Sequence, residues 1–338
     1  MTGRELVKST LAFQKPQRIP RDLWLFPGLP EQEVQRVLAL YPSDFGKPSF
    51  TYGKGLLEEG RRGVDYEYTD PWGCRWRTEE LAESGYVVGH PLADWQNLSR
   101  FQPPWEILEN ADLSQVDASC RATDKYVIAP TGVCPFERLQ HLRGTEQVLL
   151  DLAMGEERVW RLLEVIHEFN CQELEMWAAT CVDGIFLMDD WGWQGGLLVS
   201  PRVWRTYFKP LYKEYCEIIK SAGKDVFFHS DGNIQEIFED FVELGVDAIN
   251  SQLFAMDLKK LSAFRGRITF WGELDRQYLL PRGNLMEIRQ AVDSLYSHLW
   301  ADGGLIAQCH WEYGVPEEKI REFFAAYREM MVKKGTKC

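Results

Sequence analysis

The chain has 338 residues, 45% of them apolar and 26% charged, with a formal net charge of −13. That supplies a core large enough for one big domain or two ordinary ones, and the acidic balance argues against nucleic acid or an anionic membrane as the main partner. No stretch of about 18 apolar residues occurs, so no membrane-spanning helix is expected.

The start, MTGRELVKSTLAFQ, reads as a mixed-charge helix without the continuous apolar segment of a signal peptide. Thr2 to Phe13 forms that helix, stopped by Lys15-Pro16. Arg21 to Phe26 is a strand entering a Pro/Gly loop, and Glu31 to Leu40 is a second helix. From Pro42 to about Asn97 glycine, aromatic residues and alternation dominate, as in DYEYTDPWGCRWR and SGYVVGHPL. Such patterns suit β-hairpins and loops. We read residues 42–120 as an inserted cover over one end of a single domain spanning 1–338. The alternative is a mere cover without function.

A regular alternation begins at Lys125. YVIAPTG is a strand, Phe136 to Leu142 and Thr145 to Ala153 are short helices, and Glu156 to Thr180 is a long one. Gly184 to Asp190 is a strand ending in two carboxylates. Ser200-Pro201 opens a helix to about Ala222, with serine as N-cap and proline at the first helical position. DVFFHSDGN, Asp225 to Asn233, is an apolar strand that turns abruptly polar, followed by the helix Ile234 to Leu244. Asp247 to Ser251 and Ile268 to Glu273 are further strands, each followed by a helix, Asp257 to Phe264 and Leu285 to Leu299. Gly304 to Cys309 is the last strand and Pro316 to Val332 the closing helix. Seven strands with helical crossovers, one short of eight, fit a distorted (β/α)8 TIM-type barrel with an N-terminal hairpin elaboration. A doubly wound open sheet is the runner-up. Neither GxGxxG after a strand nor GxxxxGK[ST] is present, which argues against nucleotide sites of those kinds.

In a parallel barrel, chemistry collects where strands end. The residues there are Asp189 and Asp190, His229 and Asp231, Asn250 and Gln252, Glu273 and Asp275, and Cys309 and His310. His229 and Asp231, two apart on an extended backbone, point the same way. With Cys309 they would offer zinc one nitrogen, one oxygen and one sulfur and leave a position open, as catalytic zinc requires. The plain alternative is a satisfied histidine, an N-capping aspartate and a small buried thiol. His310 is a rival to Cys309 and would face the other way on a regular strand. Of the adjacent pair Asp189 and Asp190 only one can face the mouth, and Asp190 is the expected one. Glu273, after Gly272, is a candidate ligand or general acid, or else a salt-bridge partner of Arg276 or Arg282. The eight cysteines are scattered without a CxxC pair, which suits reduced thiols and a cytoplasmic location.

MDDWGWQGGLLVSPRVW, KPLYKEYCEIIKSAGKDVFFHSDGNI, ELGVDAINSQ, RITFWGELDRQYLL and GGLIAQCHWEYGVPEEKI together resemble the uroporphyrinogen decarboxylase superfamily from about Gly184 to the end. A weaker likeness covers RELVKSTLAFQKPQRIPRDLW. The resemblance implies a distorted (β/α)8 barrel. The PxWxMRQAGR signature of true uroporphyrinogen decarboxylases is absent, and DLWLFPGLPEQE stands in its place. The branch of corrinoid-dependent methyltransferases holds zinc by an HxC pair and a later cysteine. Here the pair reads HSD, so Asp231 replaces the first cysteine and Cys309 falls where the second would lie. The resemblance thus implies zinc on His229, Asp231 and Cys309, and the strand-end reading adds Asp190, Glu273 and His310 as catalytic groups. Trp24, Trp191, Trp193, Trp311, Asn250 and Gln252 would line the substrate site, with Trp72 and Trp76 adding to its aromatic wall. The expected reaction is methyl transfer between a methylated, by preference methoxylated, small molecule and cobalamin. No DxHxxG signature is present, so the corrinoid would arrive on a separate protein. A homodimer is left open. The alternatives are a metal-independent decarboxylase or lyase, which would need a basic pocket built from Arg4, Arg18 and Arg21, and a non-catalytic binding protein.

Overall fold

Strand pairing closes on itself in the chain's computed structural model, which describes residues 1–26, 28–53, 66–78 and 85–335. The strands are β1 (Arg21–Leu25), β2 (Phe45–Gly46), β3 (Tyr66–Thr69), β4 (Arg75–Thr78), β5 (Tyr86–Gly89), β6 (Tyr126–Pro130), β7 (Gly184–Met188), β8 (Gly192–Trp193), β9 (Gly196–Leu197), β10 (Asp225–Ser230), β11 (Ala248–Ser251), β12 (Thr269–Phe270) and β13 (Ala307–Trp311). A six-stranded parallel sheet runs β12-β11-β10-β7-β6-β2, and β1 pairs with β13. Backbone bonds join the two sheets at both seams. The Ile306 N–H donates to the Phe270 carbonyl at 2.9 Å, and the Asp44 N–H to the Arg21 carbonyl at 2.9 Å. The wall is an eight-stranded barrel, distorted where β2 and β12 shrink to two residues.

The eighth strand, β2, is the one that the sequence count lacks. Phe45-Gly46 is too short to show a period, and its neighbours Ser43, Asp44 and Lys47 are polar. It pairs because Tyr126 and Val127 of β6 stand opposite it.

Alternation along the strands divides the core into two layers. Phe45, Tyr126, Phe227, Ala248, Trp271 and Ile306 fill the barrel interior with Val7 of the first helix, and Trp24, Ile128 and Phe186 pack against them. Ile185, Leu187, Val226, Phe228, Ile249 and Cys309 belong to the larger core shared with the helices. Each such phenylalanine contributes roughly 1.5–3 kcal/mol by leaving water. Helix starts follow the sequence signals. The Ser200 hydroxyl accepts from the Val203 N–H, and Asn284 and Glu287 form a capping box.

The strands β3, β4 and β5 form an antiparallel sheet that packs on the helices Pro135–Arg143 and Glu157–Ala178. Trp72 meets Phe169 at 4.9 Å, Trp76 meets His141 at 4.8 Å, and Asp70 pairs with the buried Arg138 at 3.3 Å. Parts of the segment read as a cover, 54–65 and 79–84, lie outside the described residues. Among the described residues, no helix is long and apolar enough to cross a membrane.

Candidate metal centre at the strand ends

The interior-facing residues of β10 and β11 continue upward from Phe227 and Ala248 to His229 and Asn250, which are paired in register. His229 is buried, and its Nδ1 lies 2.6 Å from Asn250 Oδ1. The Asn250 amide nitrogen donates to the Trp271 carbonyl, which leaves its oxygen to accept. Nδ1 of His229 therefore carries a hydrogen, and in the neutral imidazole Nε2 presents a lone pair. That lone pair faces Oδ1 of Asp190 and Oδ1 of Asp231, each at 3.6 Å. The three ligand atoms lie within 4.8 Å of one another.

Asp190 Oδ1 accepts the Asp231 N–H at 2.8 Å, and a cation among the three groups would relieve two carboxylate oxygens facing one imidazole nitrogen. Oδ1 of Asp231 is buried with no hydrogen-bond partner, a costly state for a carboxylate oxygen. Its other oxygen is held by the Arg276 guanidinium. Tetrahedral zinc with N and O ligands at about 2.0–2.2 Å has ligand-to-ligand edges of roughly 3.3–3.6 Å. The residues therefore fit a divalent ion, held by an imidazole that a second residue orients from behind. Burial raises the pKa of Asp231 first, and Glu273 and Asp190 add to the rise against His229 and Arg276.

Cys309 takes no part in this convergence, which corrects the expected ligand set. On β13 the interior positions are those of Ile306 and its alternates, so His310 faces inward and Cys309 outward. The thiol is fully buried in the helix-side core near Tyr327, and burial pushes its pKa well up. Asp190 brings the third potential ligand atom to that group instead. Its neighbour Asp189 points outward and is buried, accepting N–H bonds from Phe136 and Glu137 at 2.6 and 2.9 Å and the Tyr212 hydroxyl at 2.5 Å. It caps the helix Pro135–Arg143.

His310 lies 3.0 Å from Glu273 through Nε2 and 3.3 Å from an Arg276 nitrogen through Nδ1. Arg276 also approaches Glu273 at 3.3 Å. Burial alone would raise Glu273, yet the bond to His310 and the charge of Arg276 leave it below its ordinary value. His310, Glu273, Arg276 and Asp231 thus form one chain of contacts. Arg276 is the member that motif reading did not place at the site, although it stands three residues after Glu273. Glu137, whose pKa is raised by burial and then by Asp190, was also missed. No motif marks it, because the helix carrying it follows β6.

The tryptophans divide. Trp24 lies inside the barrel, 5.8 Å from the His229 ring and 4.9 Å from His310. Trp193 is 60% exposed on the hairpin after β7. Trp191 is fully buried and stacks on Phe136 at 4.5 Å, and Trp311 is fully buried with its indole donating to the Val315 carbonyl. Both belong to the helix-side core, not to a pocket wall, and so do Trp72 and its neighbour Trp76. Gln252 accepts from the Gly232 N–H at 3.2 Å. It lines a cavity of about 310 Å3 with Gln194, Phe254, Glu273, Arg276 and Gln277.

The basic residues considered for a decarboxylase pocket sit at the other end of the barrel. Arg4 pairs with Asp183, just before β7, at 2.8 Å, and Arg18 pairs with Asp44, just before β2, at 2.6 Å. Arg21 opens β1. A further group, His167, Cys171 and Glu214, joins two outer helices. The imidazole there is already engaged by the Tyr215 hydroxyl at 2.9 Å and by Glu214 at 3.2 Å.

Residues 72–330 match the family model for uroporphyrinogen decarboxylase (URO-D). No curated protein sequence matches the chain. Among solved structures, the chain is similar to a methyltransferase from Methanosarcina mazei, with a TM-score of 0.72 and 14% identity over 98% of this chain and 99% of that one. At that identity the likeness is one of fold. A glycosylated endo-β-1,4-xylanase from Gloeophyllum trabeum (TM-score 0.45, 11% identity, 93% and 98% coverage) and a B12-independent methionine synthase from Shewanella sp. W3-18-1 (0.42, 10%, 94% and 97%) are more distant and carry no argument.

Proposed function

This chain belongs to the uroporphyrinogen decarboxylase family, and on that premise we propose that it is a methyltransferase that works between a methylated small molecule and a corrinoid carried on a separate protein. The observation that carries this reading is the convergence of Asp190, His229 and Asp231 at the barrel mouth, with the imidazole fixed by Asn250. The arginines that could serve a decarboxylase's substrate carboxylates, Arg4, Arg18 and Arg21, stand at the opposite end.

When bound, zinc on these residues supplies Lewis acidity to the oxygen or nitrogen that loses methyl, and the partner's corrinoid supplies the methyl acceptor. The chain's own groups set the geometry. Asn250 holds His229 in the tautomer that presents Nε2. Arg276 occupies one oxygen of Asp231 and leaves the other aimed inward. Glu273 and His310 keep Arg276 in place. His310 approaches Glu273 through Nε2 and Arg276 through Nδ1, so it positions Arg276. The donor takes the cavity lined by Gln194, Gln252 and Phe254, a mixed polar and apolar wall that suits a methoxylated ring. Methyl transfer in the reverse direction uses the same residues.

Metal content and turnover test the reading together. Protein incubated with zinc and desalted is expected to hold about one zinc per chain, and His229→Ala to lose it. Methyl transfer from a methoxylated aromatic to reduced cobalamin should vanish in the same variant. Zinc far below one per chain, unchanged by added metal, would overturn the proposal.

A further inference from the structure

The bottom of the barrel holds an unexplained concentration of positive charge. Arg18, Arg21 and Arg328 line a cavity of about 230 Å3 whose apolar wall includes Ile19, Phe324 and Met331. Asp44 is the acidic group beside them, and it is fully used. Arg18 grips both of its oxygens at 2.6 Å, and the Arg21 backbone N–H takes one of them at 2.8 Å. Nothing is left for the Arg21 side chain. Its Nε is buried without a hydrogen-bond partner, and burial, then the charge of Arg18, works against its protonated form. Arg328 approaches from the last helix and lies, like Arg21, 5.8 Å from the Tyr41 ring. Neither makes an ion pair among the described residues. In a chain of net charge −13, two guanidiniums without an ion pair among the described residues, facing one cavity, oppose the overall balance.

We propose that this cavity is a second ligand site, remote from the barrel mouth, for a small oxyanion carried on an apolar, ring-sized body. The planar fork of an arginine pairs with carboxylate or phosphate oxygens. Arg21 and Arg328 meet the anion from two elements, the start of β1 and the last helix. Ile19, Phe324 and Met331 take the apolar part.

Phenyl phosphate, which joins both features, is the probe. Isothermal titration with the zinc-loaded protein should give saturable binding, weaker binding of inorganic phosphate, and no binding of benzyl alcohol. Arg328→Ala, an exposed position, and Arg21→Met, which keeps a long side chain against Tyr41, should each weaken phenyl phosphate by at least about tenfold. His229→Ala should leave it unchanged, which separates this site from the mouth. Far-ultraviolet circular dichroism of each variant checks folding. Equal affinity in folded Arg328→Ala and wild type, absence of saturable binding, or loss of binding in His229→Ala would each overturn the proposal.

Discussion

His229 has both ring nitrogens assigned by its surroundings, one by Asn250 and one by two carboxylates. That arrangement separates the ligand set expected from the sequence from the group that the fold brings together. Asp190→Asn should weaken zinc by at least about tenfold in a chelator competition, whereas Cys309→Ser should leave the affinity unchanged. The converse result would return the thiol to the ligand set. His229 and Asp231 were legible in the sequence because a two-residue spacing on a strand end forces a shared direction. Cys309 was not, since choosing between it and His310 needs the parity of β13. That parity is set by Ile306 inside the barrel, a fact of packing that no local spacing carries. Of the adjacent pair it is Asp190 that approaches His229, while Asp189 turns to the helix side, as neighbours on an extended backbone must face opposite ways.

At the scale of elements, the candidate metal centre depends on two loops that touch backbone to backbone. A Cβ on Gly232 would sit 2.2 Å from the Gly192 carbonyl carbon, and Gly232 has φ of +78°. The Asn233 N–H donates to the Trp193 carbonyl at 2.8 Å across the same contact. Glycine is required there by both sterics and conformation. Gly232→Ala should cost roughly 2 kcal/mol or more of stability and lower zinc affinity as well, because the loop it pushes aside adjoins Asp231. Urea denaturation and metal titration of one preparation would check both; an unperturbed variant would show that the loops can part freely. The alternation of strands and helices that predicts a barrel was plain in the sequence. The two-residue β2 was hidden, because it is defined by the bonds of Asp44 and Tyr126 to its neighbours and not by any periodicity.

For the molecule as a whole, a buried carboxyl ties the helix layer to the wall. Glu173, on the helix Glu157–Ala178, is fully buried and accepts from the Tyr52 hydroxyl and the Gly132 N–H. Burial pushes its pKa up from 4.5 to about 7. Below the unfolded value it is protonated in both states. As pH rises past that value the unfolded chain ionises first, so stability falls, and the loss is complete above the folded value, at most roughly 3 kcal/mol. Glu173→Gln should flatten the decline between about pH 5 and 7.5 seen in denaturant titrations; an unchanged slope would assign the decline to other groups. The centre itself has a different reach. All three of its candidate ligands belong to β7, β10 and the turns that follow them, two strands paired side by side in register. A bound ion would staple those neighbours directly, while the opposite wall would reach it only through Arg276, which Glu273 and His310 hold against Asp231. A chain loosened in that wall would therefore weaken its grip on the ion without releasing it outright, so metal content alone would overstate how intact such a preparation is.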